Sequence, residues 1–308
     1  MKKVDIVIIG AGMAGLTAAI YARRAGKSAL VLEAKTHGGQ IINTFDIQNW
    51  PGEESVSGVD LMQKIYHQAN NLGAEIEYEE VTGVVDNGDG AEATERFTVK
   101  TEDAEYACGA IIIATGSVER RMDVPGEEKF IGRGVSFCAT CDGAFYKDQP
   151  VAVVGGGNTA FYDALYLADL CAKVYLVHRR REFRADAILV EKLRARQNVE
   201  FLTPFVPTEV LGDKKVTGLA IREKEGARER KLDVSGVFVA VGRLPQTEIF
   251  AEMVSRDGAG YIEAGEDCAT SRPGIFVAGD VRMKSIRQLT TAAADGTVAA
   301  TEAVRFLG

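Results

Sequence analysis

The chain runs to 308 residues, 46% of them hydrophobic and 26% charged. That balance describes a folded protein of about two domains and excludes disorder as the main state, because the apolar material offsets chain entropy. A net charge of −8 argues against sequence-independent nucleic-acid binding and against adhesion to an anionic membrane.

In chain order, Met1-Lys2-Lys3 and the run Val4 to Ile9 superficially resemble a signal sequence. The run is short and ends in glycines, which suits a buried first strand better. Gly10-Ala11-Gly12-Met13-Ala14-Gly15 follows, then a helical pattern through Leu16, Ala19, Ile20 and Ala22 that ends at Gly26. A second strand spans Ala29 to Leu32 and ends at Glu33. The same order recurs downstream: Val151 to Val154, the loop Gly155-Gly156-Gly157-Asn158-Thr159-Ala160, a helix with Leu165, Leu167, Ala168 and Leu170, and a strand Val174 to Val177 ending at His178. Each copy reads as the βαβ start of a doubly wound sheet. No apolar run reaches the length of a membrane span.

The glycines divide the work. The first permits the tight turn, the second lets a pyrophosphate approach the backbone, and the third position, Gly15 or Ala160, allows helix and strand to pack closely. The helix N-terminus then offers free N–H donors and a positive dipole end. The end of the second strand distinguishes the two copies. Glu33 stands 23 positions after Gly10, where a carboxylate accepts hydrogen bonds from a ribose 2′-hydroxyl. At the matching place after Gly155 stand His178 and Arg179-Arg180-Arg181. A carboxylate repels a 2′-phosphate, whereas guanidinium groups bind one bidentately. The first site therefore suits an adenine dinucleotide with a free 2′-hydroxyl, and the second suits NADPH.

The first unit closes near Ile111 to Gly116 and the second near Val237 to Pro245. The tail carries a strand, Ile275 to Ala278, and a helix from about Leu289 to Phe306, with no glycine fingerprint of its own. It is expected to return to the first unit. The fold expected is α/β: two Rossmann-like, doubly wound, three-layer dinucleotide-binding domains. One comprises 1–117 with 247–308 and is discontinuous; the other spans 118–246.

Cys138-Ala139-Thr140-Cys141-Asp142-Gly143 is a second chemical signature. A CxxC spacing permits a small disulfide ring and often accompanies a lowered thiol pKa. A zinc site needs more ligands than the scattered Cys108, Cys171, Cys268 and the unpaired His37, His67 and His178 supply. Those three cysteines adjoin apolar runs and read as buried small hydrophobes. Five cysteines, odd and sparse, fit no secreted disulfide framework, so the chain is expected in the cytoplasm. Asp142 has two readings. A buried carboxyl with raised pKa could supply the proton that a leaving thiolate needs, or Asp142-Gly143 is only a turn pair.

Along its whole length the chain resembles the bacterial low-molecular-weight thioredoxin reductases, class II flavin-dependent pyridine nucleotide-disulfide oxidoreductases. The matching segments are GAGMAG (10–15), GGQI (38–41), NWPG (49–52), ATG (114–116), CATCDG (138–143), GGGNTA (155–160), HRRREFRA (178–185), GRLPQT (242–247) and VAGDVR with RQLTTAA (277–293). The resemblance implies that Gly10, Gly12, Gly15 and Glu33 hold the ADP half of FAD. It places Gly39, Gln40, Asn49 and Thr115 at the same cofactor, with Asp280, Arg287 and Gln288 against its ribityl and ring region. Gly155, Gly157, Asn158 and Thr159 would serve NADPH, with His178, Arg179, Arg180 and Arg184 reading the 2′-phosphate. Cys141 would face the flavin, Cys138 would attack the partner disulfide, and Asp142 would be the acid–base residue. Electrons would pass from NADPH to FAD, to the Cys138–Cys141 disulfide, and then to thioredoxin. The family also implies a homodimer and a small domain that rotates between two positions.

One departure stands out. Where the family commonly has a small apolar residue and a glutamate after Ala160, this chain has Phe161 and Tyr162. Two aromatics there crowd the nicotinamide end or pack between the domains. Three other readings use the same scaffold: a disulfide reductase driven by reduced ferredoxin or flavodoxin, a dithiol oxidase using oxygen, and a dinucleotide sensor. The arginine cluster speaks against the first and Phe161-Tyr162 for it, the second would make Arg179, Arg180 and Arg184 dispensable, and the third would not need the CxxC.

Overall fold

The structure, a computed structural model, describes residues 1–308 apart from 45, 89, 91 and 93. Two compact units emerge, Met1–Val118 with Leu244–Gly308, and Glu119–Arg243. The first opens with β1 (Lys2–Ile9), α1 (Met13–Arg24), β2 (Ala29–Leu32), α2 (Gly58–Asn71), β3 (Glu75–Glu77), β4 (Val81–Asp86), β5 (Phe97–Thr101) and β6 (Glu105–Ile113). The sheet order is β3-β2-β1-β6-β5-β4. β1 pairs in parallel with β2 and β6, and β5 pairs antiparallel with the first half of β6.

β1 is continuously apolar from Ile6 to Ile9 because both of its faces are covered there. Ile6 and Ile8 join a core with α1 and α2, while Val7 and Ile9 face a second core with Phe97, Val99 and Phe250. The helices of this unit all lie on the first face. The third layer is closed by the β4–β5 ribbon and the segment from Phe250 to Ile262 instead of helices.

β7 (Ser117–Glu119) leads into the second unit: β8 (Val135–Ser136), α3 (Ala139–Asp142), β9 (Pro150–Gly155), α4 (Asn158–Leu170), β10 (Lys173–Val177), α5 (Ala187–Arg194), β11 (Val199–Leu202), β12 (Phe205–Gly212), β13 (Val216–Glu223), β14 (Glu229–Leu232) and β15 (Gly236–Ala240). Its parallel sheet is ordered β11-β10-β9-β15-β8. Val151 and Val153 pack on α4 and α5, while Ala152 and Val154 pack toward the antiparallel β12–β13–β14 sheet. The plan of the first unit is thus repeated: helices on one face, a β-meander on the other.

The chain returns through β16 (Arg243–Pro245), which pairs with β7. The second crossing between units falls at 243/244, earlier than the 246/247 read from sequence. Gln246 explains the difference. Its N–H donates to the Gly116 carbonyl at 3.2 Å and its carbonyl accepts from Thr115 Oγ1 at 2.7 Å, both within the first unit. β17 (Ile275–Val277) then pairs in parallel with the second half of β6, and α6 (Leu289–Leu307) packs on the helical face beside α1. The tail completes the first sheet because β5 covers β6 only as far as Cys108, leaving Ile111 to Ile113 to pair with β17.

Candidate functional site

In the first unit the glycine loop joins β1 to α1. Gly10 has φ +108°, and a Cβ there would sit 2.4 Å from the Ala114 carbonyl oxygen. A Cβ on Gly15 would sit 1.8 Å from the Gly10 carbonyl oxygen, whereas one on Gly12 would meet nothing within 4 Å. Gly10 and Gly15 are therefore excluded from carrying side chains by backbone, and Gly12 by no protein atom at all. Open space at Gly12, at the mouth of α1, is what a phosphate cradle requires. α1 has no side-chain cap and no acidic residue in its first turn, so its N–H groups and dipole are left to an anion.

Glu33 closes this loop from the end of β2. Its Oε2 accepts from the Ala11 N–H at 2.8 Å and its Oε1 from the Lys35 N–H at 3.0 Å. A carboxylate has about four acceptor positions, so two remain for a ribose diol. Gly39 lies against Gly12, with its Cβ position 3.4 Å from the Gly12 Cα, and Gln40 beside it is exposed. Asn49 Nδ2 donates to Gln288 Oε1 at 3.3 Å, joining two expected site residues from opposite ends of the chain. Asp280 sits on a turn that begins at Gly279, where φ is +83° and a Cβ would come within 2.9 Å of Ala14 Cβ. Arg287 Nε donates to the Asp280 carbonyl at 3.2 Å, and its guanidinium stacks 4.1 Å from the Tyr261 ring. The set Gly10, Gly12, Gly15, Glu33, Gly39, Asp280 and Arg287 thus gathers around the N-terminus of α1, and its shape fits an adenine dinucleotide.

A buried ion cluster supports this site and carries no sequence signature. Asp295 on α6 accepts from the Gly279 N–H at 3.0 Å, from Arg282 at 2.9 and 3.2 Å and from Lys284 Nζ at 2.8 Å. Burial opposes the charge on Asp295, but the hydrogen bonds from Arg282 and Lys284 outweigh it and hold the carboxyl below its ordinary range. Its three donors are Gly279, Arg282 and Lys284, so it pins the turn that presents Asp280.

In the second unit the loop between β9 and α4 repeats the device. A Cβ on Gly155 would sit 2.4 Å from the Ala240 carbonyl oxygen and 2.7 Å from Ala160 Cβ, while one on Gly157 would meet nothing within 4 Å. α4 also lacks a side-chain cap and an acidic first turn. Asn158 and Asp186 exchange two hydrogen bonds, of 3.1 and 2.8 Å, and Thr159 is exposed.

His178 and the arginines part company here. The His178 ring is 8% exposed and lies beneath Gly156, whose Cβ would fall 2.2 Å from it. Its Nε2 is 3.2 Å from the Glu182 carbonyl. Burial pushes its pKa down, the Glu182 carbonyl works against this, and Arg179, Arg180 and Arg184 reinforce it. The ring is a buried prop under the loop, and the neighbouring arginines are the exposed members. Arg179, Arg180 and Arg184 have no carboxylate at ion-pair distance among the described residues. The Arg184 N–H donates to the Gly156 carbonyl at 2.8 Å, which ties the cluster to the loop. Phe161 is fully buried inside this unit against Phe183 and Phe201, and Tyr162 is exposed. Phe161 therefore packs within its own unit.

The cysteine pair lies at α3 of the same unit, with Cys138 just before its first residue and Cys141 within it. Cys138 and Cys141 form a disulfide with Cα atoms 5.3 Å apart, and both are half-buried. Asp142 ends this short helix. Its Oδ2 accepts a 2.6 Å hydrogen bond from the Ser136 hydroxyl. Burial pushes the Asp142 carboxyl up, and the Ser136 bond offsets this in part. The carboxyl is thus biased toward holding a proton beside a disulfide, as an acid for a departing thiolate must be. Cys108, Cys171 and Cys268 are buried, and burial pushes Cys108 and Cys268 up to about 12 and Cys171 to about 11, which keeps them protonated.

A scan against protein families matches residues 4–296 to the pyridine nucleotide-disulphide oxidoreductases. A curated thioredoxin reductase from Listeria monocytogenes is 42% identical over 99% of this chain and 94% of its own length. Among solved structures, a thioredoxin reductase from Streptococcus pyogenes aligns with a TM-score of 0.92 at 41% identity, covering 99% of this chain and 98% of that one. One from Giardia duodenalis aligns with a TM-score of 0.93 at 37% identity, covering 100% and 99%.

Proposed function

We propose that this chain, which belongs to the pyridine nucleotide-disulphide oxidoreductases and is an oxidoreductase enzyme, reduces the disulfide of thioredoxin with NADPH as donor and FAD as resident cofactor. The observation that carries the reading is the Cys138–Cys141 disulfide with the raised Asp142 carboxyl beside it. A homodimer in the cytoplasm belongs to the same proposal.

Bound FAD would supply two-electron transfer from a reduced nicotinamide to a disulfide. The chain's residues do the rest. Gly12 and the N–H groups of α1 hold the pyrophosphate, and Glu33 takes the ribose diol. Asn49, Thr115, Asp280, Arg287 and Gln288 orient the cofactor's other half. Gly157 and the N-terminus of α4 hold the NADPH pyrophosphate, beside Asn158 and Thr159. Arg179, Arg180 and Arg184 grip the 2′-phosphate, while His178 braces the loop from below. Cys138 exchanges with the partner disulfide, Cys141 resolves the mixed disulfide, and Asp142 holds and returns the proton.

The test is anaerobic rapid mixing of the purified holoenzyme with NADPH and with NADH. Fast bleaching of the flavin absorbance by NADPH, and far slower bleaching by NADH, is expected. Failure of both, with dithionite still reducing the flavin, overturns the donor assignment.

A further inference from the structure

Ser136 is absent from every motif read from the sequence, yet its hydroxyl makes three polar contacts beside the disulfide. It ends β8 and is 5% exposed. Its hydroxyl lies 2.6 Å from Asp142 Oδ2, donating to it. The Cys138 N–H donates to the same hydroxyl at 3.1 Å, and the Cys138 carbonyl lies 3.3 Å away. One buried oxygen therefore joins the rigid end of a sheet strand, the backbone of one redox cysteine and the carboxyl that follows the other. A hydroxyl has one proton to donate. The much shorter contact to Asp142 identifies where that proton goes when the carboxyl is ionised.

We infer that Ser136 is a positioning residue: its hydroxyl holds the Asp142 carboxyl in register with the Cys138–Cys141 pair and stabilises the ionised form that stands between the two proton transfers. The inference rests on the proposed disulfide-reductase reading. In that reaction the Cys138 thiolate attacks one sulfur of the partner disulfide, whose S–S bond breaks. The departing thiolate takes the proton of the Asp142 carboxyl. Cys141 then returns a proton to the Asp142 carboxylate and attacks the Cys138 sulfur. The Cys138–Cys141 bond forms, and the second partner thiolate leaves. Asp142 is ionised between the two halves, and that is when the Ser136 bond is strongest, because hydrogen bonds to charged acceptors exceed those to neutral ones.

Other titratable groups lie on the elements packed against Asp142. Tyr146, in the turn after α3, is pushed up to about 12 by burial and by Asp142 itself. On α4, Tyr166 lies against Gly143, and burial pushes Asp163 up to about 7. β15, which pairs with β8, contributes Gly236 to Ala240 and no ionisable side chain. Asp163 is the group whose titration could be mistaken for that of Asp142, so the experiment must separate them.

The measurement is kcat against pH for the holoenzyme with saturating NADPH and oxidised thioredoxin. It compares the wild type with Ser136→Ala, Ser136→Thr, Asp142→Asn, Asp163→Asn and the Ser136→Ala/Asp142→Asn double variant. Ser136→Ala removes a bond to the ionised carboxyl, so the alkaline limb, on which Asp142 loses its proton, should move up by about one pH unit, while the kcat plateau below that limb should fall about tenfold because the carboxyl is no longer held in register. Ser136→Thr keeps the hydroxyl and should restore the wild-type limb. Asp163→Asn should retain the limb and Asp142→Asn should lose it. On the Asp142→Asn background, Ser136→Ala should cost less than twofold. A Ser136→Ala profile with an unmoved limb overturns the inference, whether or not the rate falls uniformly, and leaves the reductase reading intact if Asp142→Asn still loses the limb. An Asp142→Asn enzyme with the wild-type profile overturns both the inference and the acid–base role of Asp142.

Discussion

The two βαβ halves use one backbone device for two different ligands, and the contrast lies outside the glycine loops. In both, the middle glycine faces open space and the helix N-terminus is left uncapped. At the end of the second strand the halves diverge. Glu33 turns toward its loop and accepts from the Ala11 N–H. His178, in the equivalent place, goes underneath its loop against Gly156, and leaves exposed arginines to face solvent. In the proposed reading the loop geometry provides for a pyrophosphate in general, and a few side chains beyond it decide which nucleotide. The third position shows the same economy. Gly15 cannot bear a methyl because the Gly10 carbonyl occupies the space, whereas Ala160 bears one because Gly155 stays bare opposite it.

The sharpest break in this comparison is a swap at the third position. Gly15→Ala drives a Cβ into backbone, which no rotamer change relieves. We expect a loss of about 3 kcal/mol or more in stability, together with loss of bound flavin. Ala160→Gly opens space and should cost only about 1 kcal/mol. Thermal unfolding and flavin content per chain check both. Equal losses would mean that the two loops are not built alike.

A smaller effect tests the charge contrast. Replacing Arg179, Arg180 and Arg184 together by alanine should raise the KM for NADPH on the order of 100-fold, as expected for losing charge-assisted bonds to a dianionic phosphate. The KM for NADH should stay unchanged. Steady-state kinetics with the two donors decides it, and parallel losses for both would sink the assignment. The smallest effect belongs to Glu33→Gln, which keeps an acceptor for the Ala11 N–H but removes the charge. Calorimetric titration of the flavin-free protein should show FAD binding about tenfold weaker, with the preference for NADPH over NADH untouched.

Much of the fold was legible because local patterns carried it. Apolar strands, glycine loops and short helices in fixed order announced two dinucleotide-binding units, and the CxxC announced a thiol pair. What escaped notice depends on neighbours distant in sequence or on residue types without a pattern. Asp295 holds Gly279, Arg282 and Lys284 across 11 to 16 positions, and nothing in that spacing marks a buried ion cluster. Ser136 is an ordinary serine two positions before Cys138 until the chain folds its hydroxyl onto Asp142. His178 looked like one more member of a basic cluster, because a sequence does not say which side chain of a row turns inward.

Residue order alone settled the kind of scaffold, the repeat and the redox pair, since glycine tolerance, strand hydrophobicity and cysteine spacing are local properties of the chain. Tertiary structure decided which face each unit closes with strands, where the chain crosses between units, and which titratable groups are buried. Those outcomes follow from packing and desolvation, which depend on every neighbour at once. That is why the raised proton affinity of the Asp142 carboxyl and the lowered ones of Asp295 and His178 belong to the folded molecule and not to any stretch of its sequence.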